Sequence, residues 1–124
     1  MHNQPSVPEL LQAVKLFIDE TAAPNLKGHA AFHARVASNA LATALRDLEA
    51  RPTNDDEETS RLRALLNADS NASLEDMNRD LCTRIQSGEM TTATEGLLAH
   101  LKATTIAQVE VDQPRYSGLK TAKG

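Results

Sequence analysis

Apolar positions recur along this chain at helical spacing, and short polar breaks divide them into segments. Leu10, Leu11, Val14, Phe17 and Ile18 follow the i, i+1, i+4, i+7, i+8 pattern of one buried helical stripe. Ser6, three residues before Glu9, forms a capping box, and Pro8 falls in the first turn, where its missing N–H is harmless. A first helix is therefore predicted from Ser6 until "TAAPNLKG" ends it, with Leu16 off the stripe and available to another chain. The second helix is predicted from Gly28 to Ala50, stopped by Pro52 and about 35 Å long at 1.5 Å per residue. Its apolar face is expected to be Phe32, Val36, Ala37, Ala40, Leu41, Ala44 and Leu48, with the alanines implying close neighbours.

Beyond it, "RPTNDDEE" predicts a loop and a new start, with Asn54 as cap, Glu57 as its box partner, and Leu62, Leu65 and Leu66 facing inward. Ser73 caps a fourth segment carrying Leu74, Met77, Leu81, Cys82 and Ile85 until Gly88. Thr92 with Glu95 opens a fifth, through Leu97, Leu98, Leu101, Thr105 and Val109. "TTIAQVEV" is β-branched and could extend, but a lone strand has no partner here. The fold class is thus all-α: a single-domain bundle of about five helices with a long central second helix. Residues 1–116 form the domain and 117–124 a flexible polar tail.

Composition narrows the possibilities. A chain of 124 residues supports one core and leaves little for a second. Its aromatics are only Phe17, Phe32 and Tyr116, so leucine and alanine must do most of the packing. A net charge of −4 argues against a nucleic-acid partner, which needs concentrated Lys and Arg. The acidic "DDEE" at 55–58 and the basic last dozen residues with Arg115, Lys120 and Lys123 are read as solvated. Cys82 is alone, so no internal disulfide is possible. No stretch reaches the length of a membrane span or a secretory signal, and a cytoplasmic location is expected.

The densest chemistry lies in "KGHAAFHARVASNAL", where His29 and His33, and likewise Arg35 and Asn39, stand four apart and share helical faces. A histidine pair at this spacing can hold a metal. The protease version needs a glutamate beside the first histidine, however, and here Ala30 and Ala31 follow it. A third ligand would have to come from His100, Asp112 or Cys82, and no spacing requires one. Arg35 and Asn39 could bind a carboxylate or phosphate, or could satisfy the backbone of a neighbouring element. Asn78 and Arg84, flanking Leu81 and Cys82, invite the same two readings. Cys82 is placed with the core leucines, where an apolar setting hides a thiol and raises its pKa.

In "VDQPRY", Gln113 before Pro114 favours an extended backbone, so Asp112 helps to finish the helix while Arg115 and Tyr116 fold back over the bundle. Tyr116 would seal the core or serve as a docking residue. Phosphate loops, nucleophile elbows and paired-carboxylate signatures are missing. No catalytic residue, metal or cofactor is expected.

"GHAAFHARVASNAL", "LCTRI", "LLAHL" and "VDQPRY", in this order, resemble a family of small bacterial all-helical proteins known only as a domain of unknown function. The likeness covers roughly residues 5 to 116. Members are commonly encoded beside an acyl-CoA dehydrogenase and a kinase similar to aminoglycoside phosphotransferases. The resemblance therefore implies an accessory role in acyl-CoA or hydroxyacyl-CoA handling and assigns no catalytic residue. The leading expectation is a non-catalytic accessory protein that binds one of these enzymes, as a homodimer. The alternative is a small-molecule binder or enzyme whose polar groups are His29, His33, Arg35 and Asn39, with His33 as acid or base because its ordinary pKa lies near neutrality.

Overall fold

The computed structural model describes residues 4–124, and among them every regular element is helical. Helix α1 is Val7–Phe17, α2 Gly28–Leu66, α3 Leu74–Ser87, α4 Leu97–Asp112 and α5 Gly118–Lys123. The chain divides into two compact units, one ending at Ala50 and the other beginning at Arg51.

In the first unit, the Ser6 hydroxyl accepts from the Glu9 N–H at 3.2 Å and donates to the Glu9 carboxylate at 3.0 Å, so the predicted cap forms. Regular α-helix ends at Phe17; the chain then widens into a π-helical turn, Ile18–Ala22, and tightens into a 3₁₀ turn, Ala23–Asn25, which ends within the predicted polar break at the extended Leu26. Asp19 in the π turn accepts from Lys15 at 2.7 Å and from Ser38 of α2. Both donors hold its carboxyl below the usual range, Lys15 more than Ser38.

The predicted stripe on α1 is left largely uncovered. Leu11 and Ile18 are half-buried, but Val7, Leu10, Val14 and Phe17 are at least half exposed. The expected inward face of α2 is corrected at Phe32, Val36, Ala37, Ala40 and Leu48, whereas Leu41 and Ala44 are half-buried as expected. Up to Ala40 the buried or half-buried positions are Ala31, Ala34 and Ser38, at i, i+3 and i+7, while Phe32, Val36, Ala37 and Ala40 are exposed; every residue from Leu41 to Asp47 is half-buried, and Leu48 is exposed. The small residues face in, and Ser38 is the one fully buried side chain among this unit's described residues.

Helix α2 runs for 39 residues with Pro52 inside it, so the predicted stop and the separate third helix are overturned. Proline's fixed φ suits a helix; its penalty is one lost hydrogen bond and a clash with the carbonyl four residues back, worth about 3 kcal/mol. Continuing the helix carries Leu62 and Leu66 into the core, which outweighs that penalty. The helix ends at Asn67, in the left-handed conformation at φ 53°, with the Ala68 N–H returned to the Arg63 carbonyl.

The second unit holds the apolar core: Leu62, Leu66, Met77, Leu81, Met90 and Leu97 pack together. Ser73 caps α3 by accepting from the Asp76 N–H at 3.1 Å, and Gly88 ends it at φ 82°, as the sequence predicts. Leu74, Met77 and Leu81 lie within about 60° of one another around this helix, whereas Cys82 is a further 100° on. Cys82 is accordingly exposed, against its expected place in the core.

The fifth predicted start also moves. Thr91–Glu95 fold into turns in which the Thr91 N–H bonds the Thr94 hydroxyl and the Ala93 N–H the Thr91 hydroxyl, and α4 begins after Gly96 at φ 87°. Its buried and half-buried residues are Leu97, His100, Ala103, Thr104, Ile106, Ala107, Val109 and Val111, so Leu97 and Val109 lie inward as expected; Leu98, Leu101 and Thr105 are exposed. Residues 104–112 are helical throughout. The terminal residues 118–123 form α5, with Leu119 buried and Lys123 paired with Glu110 at 2.9 Å.

Candidate functional site

Because Ala31, Ala34 and Ser38 turn inward, the opposite side of α2 presents the residues singled out in the sequence. His29, His33, Arg35 and Asn39 are all exposed, around a ridge of Phe32, Val36 and Ala40. The Phe32 and His33 rings meet edge to face with centroids 5.5 Å apart, which fixes the imidazole against the ridge. The Thr43 hydroxyl donates to the Asn39 backbone carbonyl at 3.1 Å, and Asn39 itself is exposed. No hydrogen bond joins the four polar side chains among the described residues. The arrangement is a mixed apolar and polar surface, with Arg35 and Asn39 along one edge and the histidines along the other.

The second constellation lies in the other unit. His100 is only 3% exposed, yet it faces the same side of α4 as Leu97 and Val111. Arg61 of α2 donates from Nε to His100 Nδ1 at 3.4 Å and from Nη2 to the Thr104 hydroxyl at 3.2 Å. Glu58, one turn before Arg61, accepts from the Asn78 amide of α3 at 2.9 Å. Burial pushes the His100 imidazole below its ordinary pKa, the Arg61 charge adds to this, and Glu58 opposes it. A neutral imidazole that accepts at Nδ1 carries its proton on Nε2, so His100 offers one remaining donor.

An open cleft of about 390 Å³ lies beside this pair, lined by Arg61, Ala64, Leu65, Glu95, Gly96, Ala99 and His100. Arg61 also borders a second depression of about 380 Å³, which includes Asn54, Glu57, Ala103 and Glu110. The guanidinium therefore lies between two concavities with a histidine and a threonine as its bonded partners.

Other candidates are structural in their contacts. Asn78 ties α3 to α2 through Glu58, and Arg84 is held by Asp80 at 3.0 and 3.1 Å and lies 3.4 Å from Glu89. Asp112 accepts from Gln108 at 2.8 Å near the end of α4. Arg115 and Tyr116 are exposed, and the Tyr116 ring lies over Gly118, where an added Cβ would fall 2.5 Å from Cε1. Tyr116 thus lies over the start of α5 and, at 60% exposed, does not seal the core as one of its two expected roles required.

Among the described residues no group of three or more His, Cys, Asp or Glu could hold a metal, and no helix is long and apolar enough to cross a membrane. The bonds of Arg61 to His100 and Thr104, and of Asn78 to Glu58, were missed, because polar residues on an inward face leave no apolar periodicity. The available signal was spacing: His100 and Thr104 stand four apart on one helix, and Arg61 stands four before Leu65 on another.

No curated protein and no solved structure matches the chain. A family model does match it, over residues 24–116, from the 3₁₀ turn through the exposed ridge of α2 to Tyr116, with α1 outside the matched segment. The chain therefore belongs to the family described as a domain of unknown function, DUF6285.

Proposed function

We propose that this protein is a non-catalytic accessory protein whose first unit is an association surface, pairing with a second copy of the chain. The homodimer then engages the kinase-like or dehydrogenase-like enzyme implied by the family resemblance, in acyl-CoA or hydroxyacyl-CoA metabolism. One observation carries this reading: in the unit ending at Ala50, Val7, Leu10, Val14, Phe17, Phe32 and Val36 are each about half exposed or more, and no apolar side chain is fully buried among its described residues. At roughly 100 Å² each, these six offer on the order of 600 Å², approaching the ~800 Å² that each partner of a standard interface contributes.

The occupant is a second copy because the surface is close to electrically neutral. From Gln4 to Ala50 there are five carboxylates (Glu9, Asp19, Glu20, Asp47, Glu49) against four cations (Lys15, Lys27, Arg35, Arg46). A two-fold interface sets a patch against itself, so a strongly charged one would repel its copy. Light scattering on the purified chain tests the first step, with a dimer mass expected and a monomer at micromolar concentration counting against it. Co-expression with both enzymes and affinity purification at near-physiological salt tests the second. Recovery of this protein alone would remove the accessory role.

A further inference from the structure

We propose that the cleft between Arg61 and the start of α4 is a binding site for a small monocarboxylate carried on a short apolar body. Arg61 supplies the charge, His100 a neutral donor, and Ala64, Leu65 and Ala99 the apolar wall. This site lies in the second unit and does not depend on the association surface of the first.

The argument begins with Arg61. Its side chain is half-buried, and its bonded partners, His100 Nδ1 and Thr104 Oγ1, are neutral. Arg79 and Arg84, by contrast, each have a carboxylate partner one turn away on their own helix, and Arg84 a second in Glu89. A guanidinium drawn from water without a carboxylate is costly unless an anion completes its fork, which matches a planar carboxylate with two parallel N–H donors. His100 supplies a second, independent observation. It is 3% exposed, it lines the cleft, and its bond from Arg61 leaves Nε2 as a proton-bearing donor without a partner among the described residues.

The backbone adds to this. Gly96 and Ala99 line the cleft at the N-terminus of the sixteen-residue α4, where no side chain caps the helix. Unsatisfied N–H groups and the positive end of the helix dipole favour a negative charge there. Gly96 is at φ 87°, and an added Cβ would stand 3.4 Å from Leu65 Cδ1, so this corner is kept open by a residue with no side chain.

The remaining wall fixes the class of ligand. Leu65, Ala64 and Ala99 give an apolar surface suited to a short alkyl chain, and a volume of about 390 Å³ admits a ligand of a few carbons. Glu95 also lines the cleft. Its carboxylate selects against multiply charged anions, because each added negative charge on the ligand meets it as well as Arg61. A monocarboxylate is therefore preferred over phosphate.

The test is titration of the full-length ¹⁵N-labelled protein with acetate, butyrate, hexanoate and inorganic phosphate at constant ionic strength, followed by backbone amide shifts. The expected result is saturable shifts at Leu97, Leu98, Ala99 and His100, with affinity rising from acetate to hexanoate and phosphate weaker than butyrate. Arg61→Gln should weaken butyrate by about tenfold or more. Ala99→Leu places a good helix former on an exposed position and fills the cleft, so it should abolish the shifts while the rest of the spectrum stays native. Shifts that map elsewhere, an affinity unchanged in both variants, or butyrate no better than chloride would overturn the proposal. Phosphate binding more tightly than every carboxylate would overturn the assigned class.

Discussion

Arg61 Nε donates to His100 Nδ1 at 3.4 Å, which joins two helices through a cation and an imidazole that is buried beside it. The bond requires a lone pair on Nδ1, so it exists only while His100 is neutral. Burial and the Arg61 charge both favour that state, and Glu58 alone works against it. The pair is therefore stable as built at neutral pH and intolerant of a second positive charge.

That intolerance gives a pH dependence with a definite sign. The folded His100 has a pKa below its ordinary 6.5, so below that value the unfolded chain binds the proton more readily. Stability is full above about pH 6.5 and falls as pH drops toward the folded pKa. Thermal midpoints from pH 7.5 to 5 should decline in the wild type and flatten across this window in His100→Gln. Equal slopes in the two proteins would assign the decline to other groups.

The two units predict unequal responses to the same substitution. Leu62 is fully buried within the core, so Leu62→Ala should cost about 2–5 kcal/mol. Leu10 is 51% exposed, and Leu10→Ala should change the stability of the monomer by less than about 0.5 kcal/mol. Urea midpoints on dilute protein check both. A large loss at Leu10 under those conditions would mean that its face is covered within the chain.

Helix-end chemistry was legible at three ends and misleading at two, where Asn54 lies inside α2 and Thr92 precedes α4 by several residues. Ser6 and Ser73 cap the helices predicted for them, and Gly88 takes the left-handed turn that ends α3. The helical class and a long second helix follow from the same periodicity. What the pattern could not decide was which side of an alanine-rich helix faces inward. On α2 the large apolar residues Phe32 and Val36 lie opposite the small ones, and close packing selected Ala31, Ala34 and Ser38. On α4 apolar residues surround the helix, and the buried face is the one whose polar members, His100 and Thr104, find partners on Arg61. His100 could be flagged from sequence, but its partner thirty-nine residues away could not, because nothing local marks a bond across helices.

Pro52 shows a local rule losing to burial further along the chain, and it carries its own prediction. The residue is exposed and helical on both sides, so its ring contributes little packing while removing one helical hydrogen bond. Pro52→Ala should restore that bond and stabilise the protein by about 1–3 kcal/mol, less the ~1 kcal/mol by which proline restricts the unfolded chain. The measurement is the denaturation midpoint with its slope unchanged. A loss of stability would show that the ring itself is held by contacts in the fold.

The exposed ridge of α2 separates an association surface from an incidental one. Phe32 is 54% and Val36 47% exposed, and neither belongs to the apolar core. Replacing either with Asp should leave the monomer's thermal midpoint within a few degrees, since an exposed helical position tolerates the change. Dimerisation should nevertheless weaken by about tenfold or more, because two-fold symmetry buries the introduced charge twice, once in each copy. Sedimentation across a concentration series reads the dissociation constant directly. Arg35→Ala, at the polar edge of the same ridge, should alter the salt dependence more than the affinity, as rim charges do. If Phe32→Asp and Val36→Asp both dimerise like the wild type, the second copy sits elsewhere, and the uncovered face of α1, with Leu10, Val14 and Phe17, is the next surface to substitute.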